Sequence, residues 1–352
     1  MKNSAEQLGT NLANTSHDKI STVDIGTDSR LLASQWVFRG LALVYFGGVA
    51  LVPFFGNDFL IRLATEAVIL GLLALSVDLL LGRVGLLSLG QAAFFGIGAY
   101  IAALTFQHLS QSLWVILACV LVSTSLVALV IGAIAIRSSG VYFALITFGV
   151  GEILTKSANN TIAVGGSDGL LGIASPILTI GGMNVLLSNN TVFLYFALTI
   201  LLLSWLAVKH LLNTPFGKVL DGLHDNSARV PYIGYQPFGY KLTAFVVAAN
   251  IAALGGMLYP FLRGFVSPVL FSFEYSTKAV VMALVGGLGS LIGPIFGAGI
   301  ITFGEDALSN VTRHHLFAIG AIFVIFVLYA PTGIAGALEQ WANKKPREPL
   351  HA

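Results

Sequence analysis

Charge is scarce in this 352-residue chain: Asp, Glu, Lys and Arg together make up 10% of it, against roughly 25% in soluble domains. Its 18 basic and 16 acidic residues cannot solvate the surface of a water-soluble body of this length. The net charge of +2 also excludes the basic face that a nucleic-acid binder needs. Cysteine is scarcer still. The single Cys119 lies in an apolar run, which excludes a disulfide framework and a cysteine metal cluster. What is abundant is apolar: 56% of residues, with a mean hydropathy of +0.86. Uninterrupted apolar runs of about 20 residues fit spanning helices and exclude an outer-membrane barrel, whose strands alternate. The chain reads as an all-α, polytopic helical membrane protein.

Long apolar runs predict about ten spans, near 39–56, 59–81, 85–106, 112–136, 140–157, 191–211, 240–262, 277–290, 291–307 and 315–331. The number falls towards eight if the short, Gly-rich runs at 277–307 form one broken or re-entrant element. Residues 1–38 are expected to be a polar, mobile tail, 39–338 the transmembrane domain, and 339–352 a second tail. With both termini inside, thirteen Lys and Arg fall on the inner side and five on the outer, as the positive-inside rule requires. Two connections are too long to be simple turns, an outer one at 157–190 and an inner one at 212–239.

The inner connection carries a helix signature. Thr214 stands as an N-cap before Pro215 at the first helical position. Phe216, Val219, Leu220 and Leu223 then form one apolar stripe, with Lys218, Asp221 and Asp225 on other faces. A short amphipathic helix suits a cleft on a cytoplasmic partner, or a place on the bilayer interface.

Glycine marks a second pattern. GRVGLLSLGQAAFFGIGAY runs from Gly82 to Tyr100, and GGLGSLIGPIFGAG from Gly286 to Gly299. Gly289, Gly293 and Gly297 are four apart, a spacing that lets helices approach closely, and Pro294 interrupts the same run. Gly-broken segments in two halves of a chain occur along transport pathways, and also wherever helices pack tightly. Polar residues inside spans are costly and so are candidates for a pathway or for pairing: Glu66, Asp78, Ser88, Gln91, Thr147, Glu152 and Asn250. Asp78 and Arg83 are close enough in sequence to pair. Ser88 and Asn250 are expected to hydrogen-bond between helices.

Catalytic signatures are missing. PFGKVL has Leu212 and Val219 where a phosphate-binding loop needs Gly and Ser or Thr. GGSDG, around Ser167, matches a nucleophile elbow only in spelling. No catalytic or metal-binding residue is proposed, and no bound cofactor is expected.

These strings together resemble the membrane-spanning permease subunits of branched-chain amino-acid ABC transporters, from about residue 60 to 338. The glycine-rich third span is followed by RSSGVYFALITFG from Arg137, VGGSDGLLGI from Val164, GFVSP from Gly264, GGLGSLIGPIFGA from Gly286 and APTGI from Ala330. Gln91 stands where the family commonly has His. The resemblance implies a subunit of a multi-subunit, ATP-driven importer in the bacterial inner membrane, with both termini cytoplasmic. Its implied partners are a second related permease, two cytoplasmic ATPase subunits that use the ATP, a soluble substrate-binding protein and a small neutral solute. It makes the inner loop similar to a coupling helix that docks on the ATPase, with Pro215, Phe216, Val219, Leu220, Leu223 and Arg229 along it and Gly234 at its end. The family's acidic-then-Ala-Ala element is replaced here by Ser227, Ala228, Arg229, Val230 and Pro231, and Pro231 is expected to shorten the second segment. Pathway or packing candidates are Ser88, Gln91, Asn250, Gly289, Gly293 and Gly297. A urea or short-amide ABC importer, and a stand-alone secondary transporter using a carboxylate such as Glu66, are the alternatives.

Overall fold

The computed structural model describes residues 26–180, 183–311, 320 and 333–342. Its helices are α1 (Gly26–Phe55), α2 (Asp58–Leu81), α3 (Gln91–His108), α4 (Leu113–Ala135), α5 (Val141–Asn160), α6 (Asn190–Asn213), α7 (Pro215–Asn226), α8 (Pro237–Arg263), α9 (Phe273–Gly286), α10 (Gly293–Val311) and α11 (Gly333–Ala342). By length and composition, α2, α4, α5, α6 and α8 can each cross a membrane. The all-α expectation holds, with four short strands as the exception among the described residues.

The centre of the bundle is α2, which is apolar on every face rather than along one stripe. Every residue from Ala67 to Leu80 is buried, as a helix surrounded by other helices requires. α3 and α8 pack on it and on each other at very short range. A Cβ on Gly98 would overlap the Ala253 backbone, and one on Gly256 the Phe95 backbone. Asn250 ties α8 to α4, donating from Nδ2 to Ser125 Oγ at 2.9 Å. That is the expected interhelical role. By contrast α4 keeps Val122, Leu126, Leu129, Val130 and Ile134 exposed on its outer face, the pattern of a lipid-facing helix, whose backbone groups are satisfied internally.

The connection at 157–190 lies at the end of the bundle opposite α7. It contains two 3₁₀ turns (Ile162–Val164 and Gly166–Asp168) and the strands β1 (Leu170–Leu171), β2 (Ile177–Ile180) and β3 (Met183–Leu186). β2 and β3 form an antiparallel hairpin, and β1 pairs antiparallel with β4 (Phe265–Val266), just beyond α8. Ser167 sits in the second 3₁₀ turn, its Oγ donating only to Asp168 Oδ1 at 3.3 Å. It is not on the strand-to-helix corner that a nucleophile needs.

Four boundaries differ from expectation. The first helix begins at Gly26, inside the segment read as a tail, because the apolar pattern of Leu31, Leu32, Trp36 and Val37 already continues into the span. The third begins only at Gln91, and residues 82–90 form turns and extended backbone. At the other end, α11 runs to Ala342, into the second tail. The runs at 277–307 form a helical hairpin of 14-residue α9 and 19-residue α10 around the loop 287–292. At about 1.5 Å per residue α9 is only about 21 Å long, too short to cross alone. The irregular stretch 264–272, which holds the 3₁₀ turn Pro268–Phe271, leads into it. The expected span at 315–331 lies outside the described residues except for residue 320.

Candidate functional site

Two non-helical stretches enter the bundle and deliver helix starts to its interior. The first, 82–90, ends where α3 begins, and its Leu89 N–H donates to Thr147 Oγ1 of α5 at 3.1 Å. The Gly90 Cα lies against the Thr147 backbone, where no Cβ fits. The second reaches the same level through the 3₁₀ turn Pro268–Phe271, whose Phe271 ring lies against Gly96 and stacks on Tyr100 at 5.2 Å. There Ser276 of α9 accepts the Ala92 N–H at 3.3 Å. Ser76 donates to Gln91 Oε1 at 3.4 Å, and Gln91 Nε2 reaches Ser88 Oγ at 3.5 Å. Ser76, Ser88, Gln91, Thr147 and Ser276 are all buried. The expected candidates Ser88 and Gln91 therefore meet, about 8 Å along α2 from its Leu81 end. Ser88 accepts the Gly90 N–H at 3.4 Å and, with Thr147 and Ser276, satisfies N–H groups of a helix start inside the bundle, while Gln91 bridges Ser76 and Ser88.

The two glycine-rich stretches touch. Asp78, completely buried, accepts the Gly289 N–H at 2.5 Å and the Leu291 N–H at 3.0 Å. It thereby pins the α9–α10 loop to the end of α2. Gly82 lies against Gly289 closely enough to leave no room for a Cβ. Leu291 has φ +61, and it is the one non-glycine residue with positive φ among the described residues. Gly293 and Gly297 pack α10 on Gly286 and Met282 of α9, so the four-residue spacing serves the hairpin itself. Asp78 does not pair with Arg83 as expected. Arg83 instead reaches across to Asp221 of α7 at 3.6 Å, while two N–H groups hold the Asp78 carboxylate.

α7 lies across this end of the bundle. Thr214 occupies the N-cap position, but its hydroxyl turns back to Leu211 O at 2.6 Å, satisfying the last turn of α6 instead. Val219, Leu220 and Leu223 are buried in the chain, and Phe216 stacks on Tyr240 of α8 at 5.4 Å. The apolar stripe thus faces the chain itself rather than a partner. It can satisfy only one surface, and the bundle takes it. Lys218, Asp221, His224 and Arg229 are exposed, Asp221 and His224 at the edge that meets the bundle, and Tyr232 (90% exposed) and Ile233 (71%) follow them. The latter two sit on the 3₁₀ turn Val230–Ile233, which contains Pro231 and is closed by Gly234 at φ +89. α7 also touches the first non-helical stretch, with His224 packed against Gly85.

A charged cavity of about 390 Å³ opens between α2, α8, α9 and α10. Arg263 at the end of α8 grips both oxygens of Glu66, at 2.6 and 2.7 Å. Lys278 of α9 pairs with Glu305 of α10. Asp306 and Glu274 lie on the same walls, and Tyr259 and Tyr275 share a hydroxyl contact at 3.1 Å beside them. Of this group, Glu66 was expected from the sequence. Glu152 lies elsewhere, near the end of α5 beside Lys156. Lys278 and Glu305 were missed, although a lysine and a glutamate inside two apolar runs were a usable signal.

A multi-helix bundle with helix starts inside it and ion pairs facing a cavity has the build of a multi-pass membrane transport component. Residues 59–328 match the family described as branched-chain amino acid transport system / permease component, and the chain belongs to it. It is similar to the high-affinity branched-chain amino acid transport system permease protein LivM of Salmonella typhimurium, at 28% identity over 80% of this chain and 71% of the relative. The probable branched-chain amino acid transport permease protein LivM of Methanocaldococcus jannaschii is 26% identical over 71% of each chain. A shorter stretch, 27% of this chain and 31% of the relative, is 34% identical to the permease protein LivH of Salmonella typhimurium. No solved structure matches.

Proposed function

We propose that this chain is one half of a two-permease pore in an ATP-driven importer of branched-chain amino acids. A second related permease supplies the other half. Likeness to both LivM and LivH, each named as a permease protein of such a system, supports that pairing. Two ATPase subunits act from the cytoplasm, and a soluble binding protein delivers the solute to the end that carries 157–190. The chain lies in the bacterial inner membrane with both termini in the cytoplasm, and binds no cofactor of its own.

One observation carries the reading: α7 rests on the linker that leads into the pore elements. Its Asp221 and His224 touch Arg83 and Gly85. From there the chain runs directly to Gln91 and α3, while Asp78 ties the same corner to the α9–α10 loop. A force on the outward face of α7, or on Tyr232 and Ile233, reaches both broken elements without crossing solvent. Such a contact shifts an access equilibrium only through differential interaction with its two states. The strain-bearing Asp78–Leu291 corner supplies a place where those states can differ.

The test is co-purification of the ATPase subunits with the full chain and with a chain lacking residues 215–234. Association is expected to vanish on deletion, and retained association contradicts the coupling role. Labelled leucine against labelled urea, in a strain deleted for the importer, separates the amino-acid reading from a short-amide importer.

A further inference from the structure

Lys278 and Glu305 fall deep in the α9–α10 hairpin, away from the loop that joins its helices. Lys278 is eight residues from the loop end of α9 and Glu305 twelve from that of α10. Those offsets place them about 12 and 18 Å from that loop, near the middle of a core roughly 30 Å thick. Their side chains remain 24% and 25% exposed, and those of Arg263 and Glu66 45% and 16%. Charges still a quarter exposed at that depth cannot face lipid without a large penalty, so this wall faces water, substrate or protein. The same cavity holds Thr302, 4% exposed, whose Oγ1 has no hydrogen-bond partner. Charges of both signs and an unsatisfied hydroxyl therefore line one space of about 390 Å³.

We propose that this cavity is a transit site for the zwitterionic head of an α-amino acid, with its carboxylate taken by Lys278 and Arg263 and its ammonium by Glu305 and Glu66. This deepens the importer reading and rests on it. In the empty protein the four groups neutralise one another in pairs, which limits the cost of holding them at depth. A zwitterion inserts between the members of a pair, exchanging one charge-assisted bond for two, and leaves the net charge of the site unchanged. An uncharged solute gains nothing from separating the pairs. Thr302 and the Tyr275 hydroxyl complete the polar wall on the α9–α10 side.

The experiment measures ATP-driven uptake of labelled L-leucine by liposomes holding the full assembly with its binding protein. Lys278→Met combined with Glu305→Gln removes both charges while leaving no unpaired one. Lys278→Glu combined with Glu305→Lys keeps the pair but reverses its positions. Both are expected to lower leucine uptake about tenfold or more, the loss expected from one or two charge-assisted bonds, with normal recovery of the partner subunits. Wild-type uptake in either variant overturns the proposal and leaves the pair structural. Loss of the second permease from the purified neutral-pair variant also overturns it, since the cavity is then an interface between subunits. Absence of ATP-driven leucine uptake by the wild-type assembly overturns the importer reading itself, and this proposal with it.

Discussion

The carboxylate of Asp78, at the end of α2, accepts the main-chain N–H of Gly289, a residue 211 positions away. With its second oxygen on Leu291, one buried side chain closes the loop between two helices that it does not belong to. Asp78→Ala leaves two buried N–H groups without an acceptor, each costing about 1–3 kcal/mol. Thermal unfolding of the purified protein in detergent is expected to show a loss of about 2–4 kcal/mol. Asp78→Asn, with one acceptor oxygen remaining, is expected to lose less. Equal and negligible losses for both would mean that the loop is held by other contacts.

The approach of α3 to α8 rests on hydrogen atoms at two positions. Gly98→Ala and Gly256→Ala force a methyl group into backbone atoms of the neighbouring helix, at a cost of about 1–3 kcal/mol each. Gly149→Ala and Gly304→Ala meet nothing within 4 Å and serve as controls. Their expected effect on unfolding is a slight gain or none, because alanine is the better helix former. A comparable loss in all four would contradict the packing described here.

Function and stability separate on the α7 segment. Leu220 is completely buried, so Leu220→Ala is expected to cost about 2–5 kcal/mol of stability. Tyr232→Ala and Ile233→Ala remove side chains that are 90% and 71% exposed and are expected to leave unfolding unchanged. What they are expected to lose is association with the ATPase subunits, read by co-purification. If ATPase binding survives Tyr232→Ala combined with Ile233→Ala, the docking surface lies elsewhere.

The Arg83–Asp221 pair, at 3.6 Å with both side chains partly exposed, contributes little to stability, about 0–1 kcal/mol. Its expected contribution is to coupling. Arg83→Ala and Asp221→Ala should each reduce transport per ATP hydrolysed, and the double variant should do no worse than either single one. Additive losses in that cycle would show that the two residues act separately.

Much of this architecture can be read from the residues because hydropathy and periodicity report burial directly. The uniformly apolar α2 and the stripe from Phe216 to Leu223 are examples. Direction is harder: the stripe says that α7 has an apolar face, but not which surface claims it, since a partner cleft and the chain's own α6 and α8 want the same side chains. The late start of α3 is hidden for a related reason. Residues 82–90 are largely apolar, and what fixes their irregular path is Gly85 at φ +73 together with an acceptor on α5, 58 positions away. Asp78 looked like a partner for Arg83 because the two are neighbours in sequence, while its actual partners lie in the loop 287–292. The apolar run at 277–290 leaves Lys278 at a span edge, because the irregular stretch 264–272, which carries the chain inward before α9 begins, has no hydropathy signature.

The central claim is that these helices form a gate moved from outside the chain. Its most direct test is labelled leucine uptake into liposomes containing this permease with its partner permease and binding protein, with and without the ATPase subunits and ATP. Uptake is expected only when both ATPase and ATP are present, and to disappear when residues 215–234 are removed. Accumulation of leucine by this chain alone, driven by an ion gradient and indifferent to ATP, would contradict it.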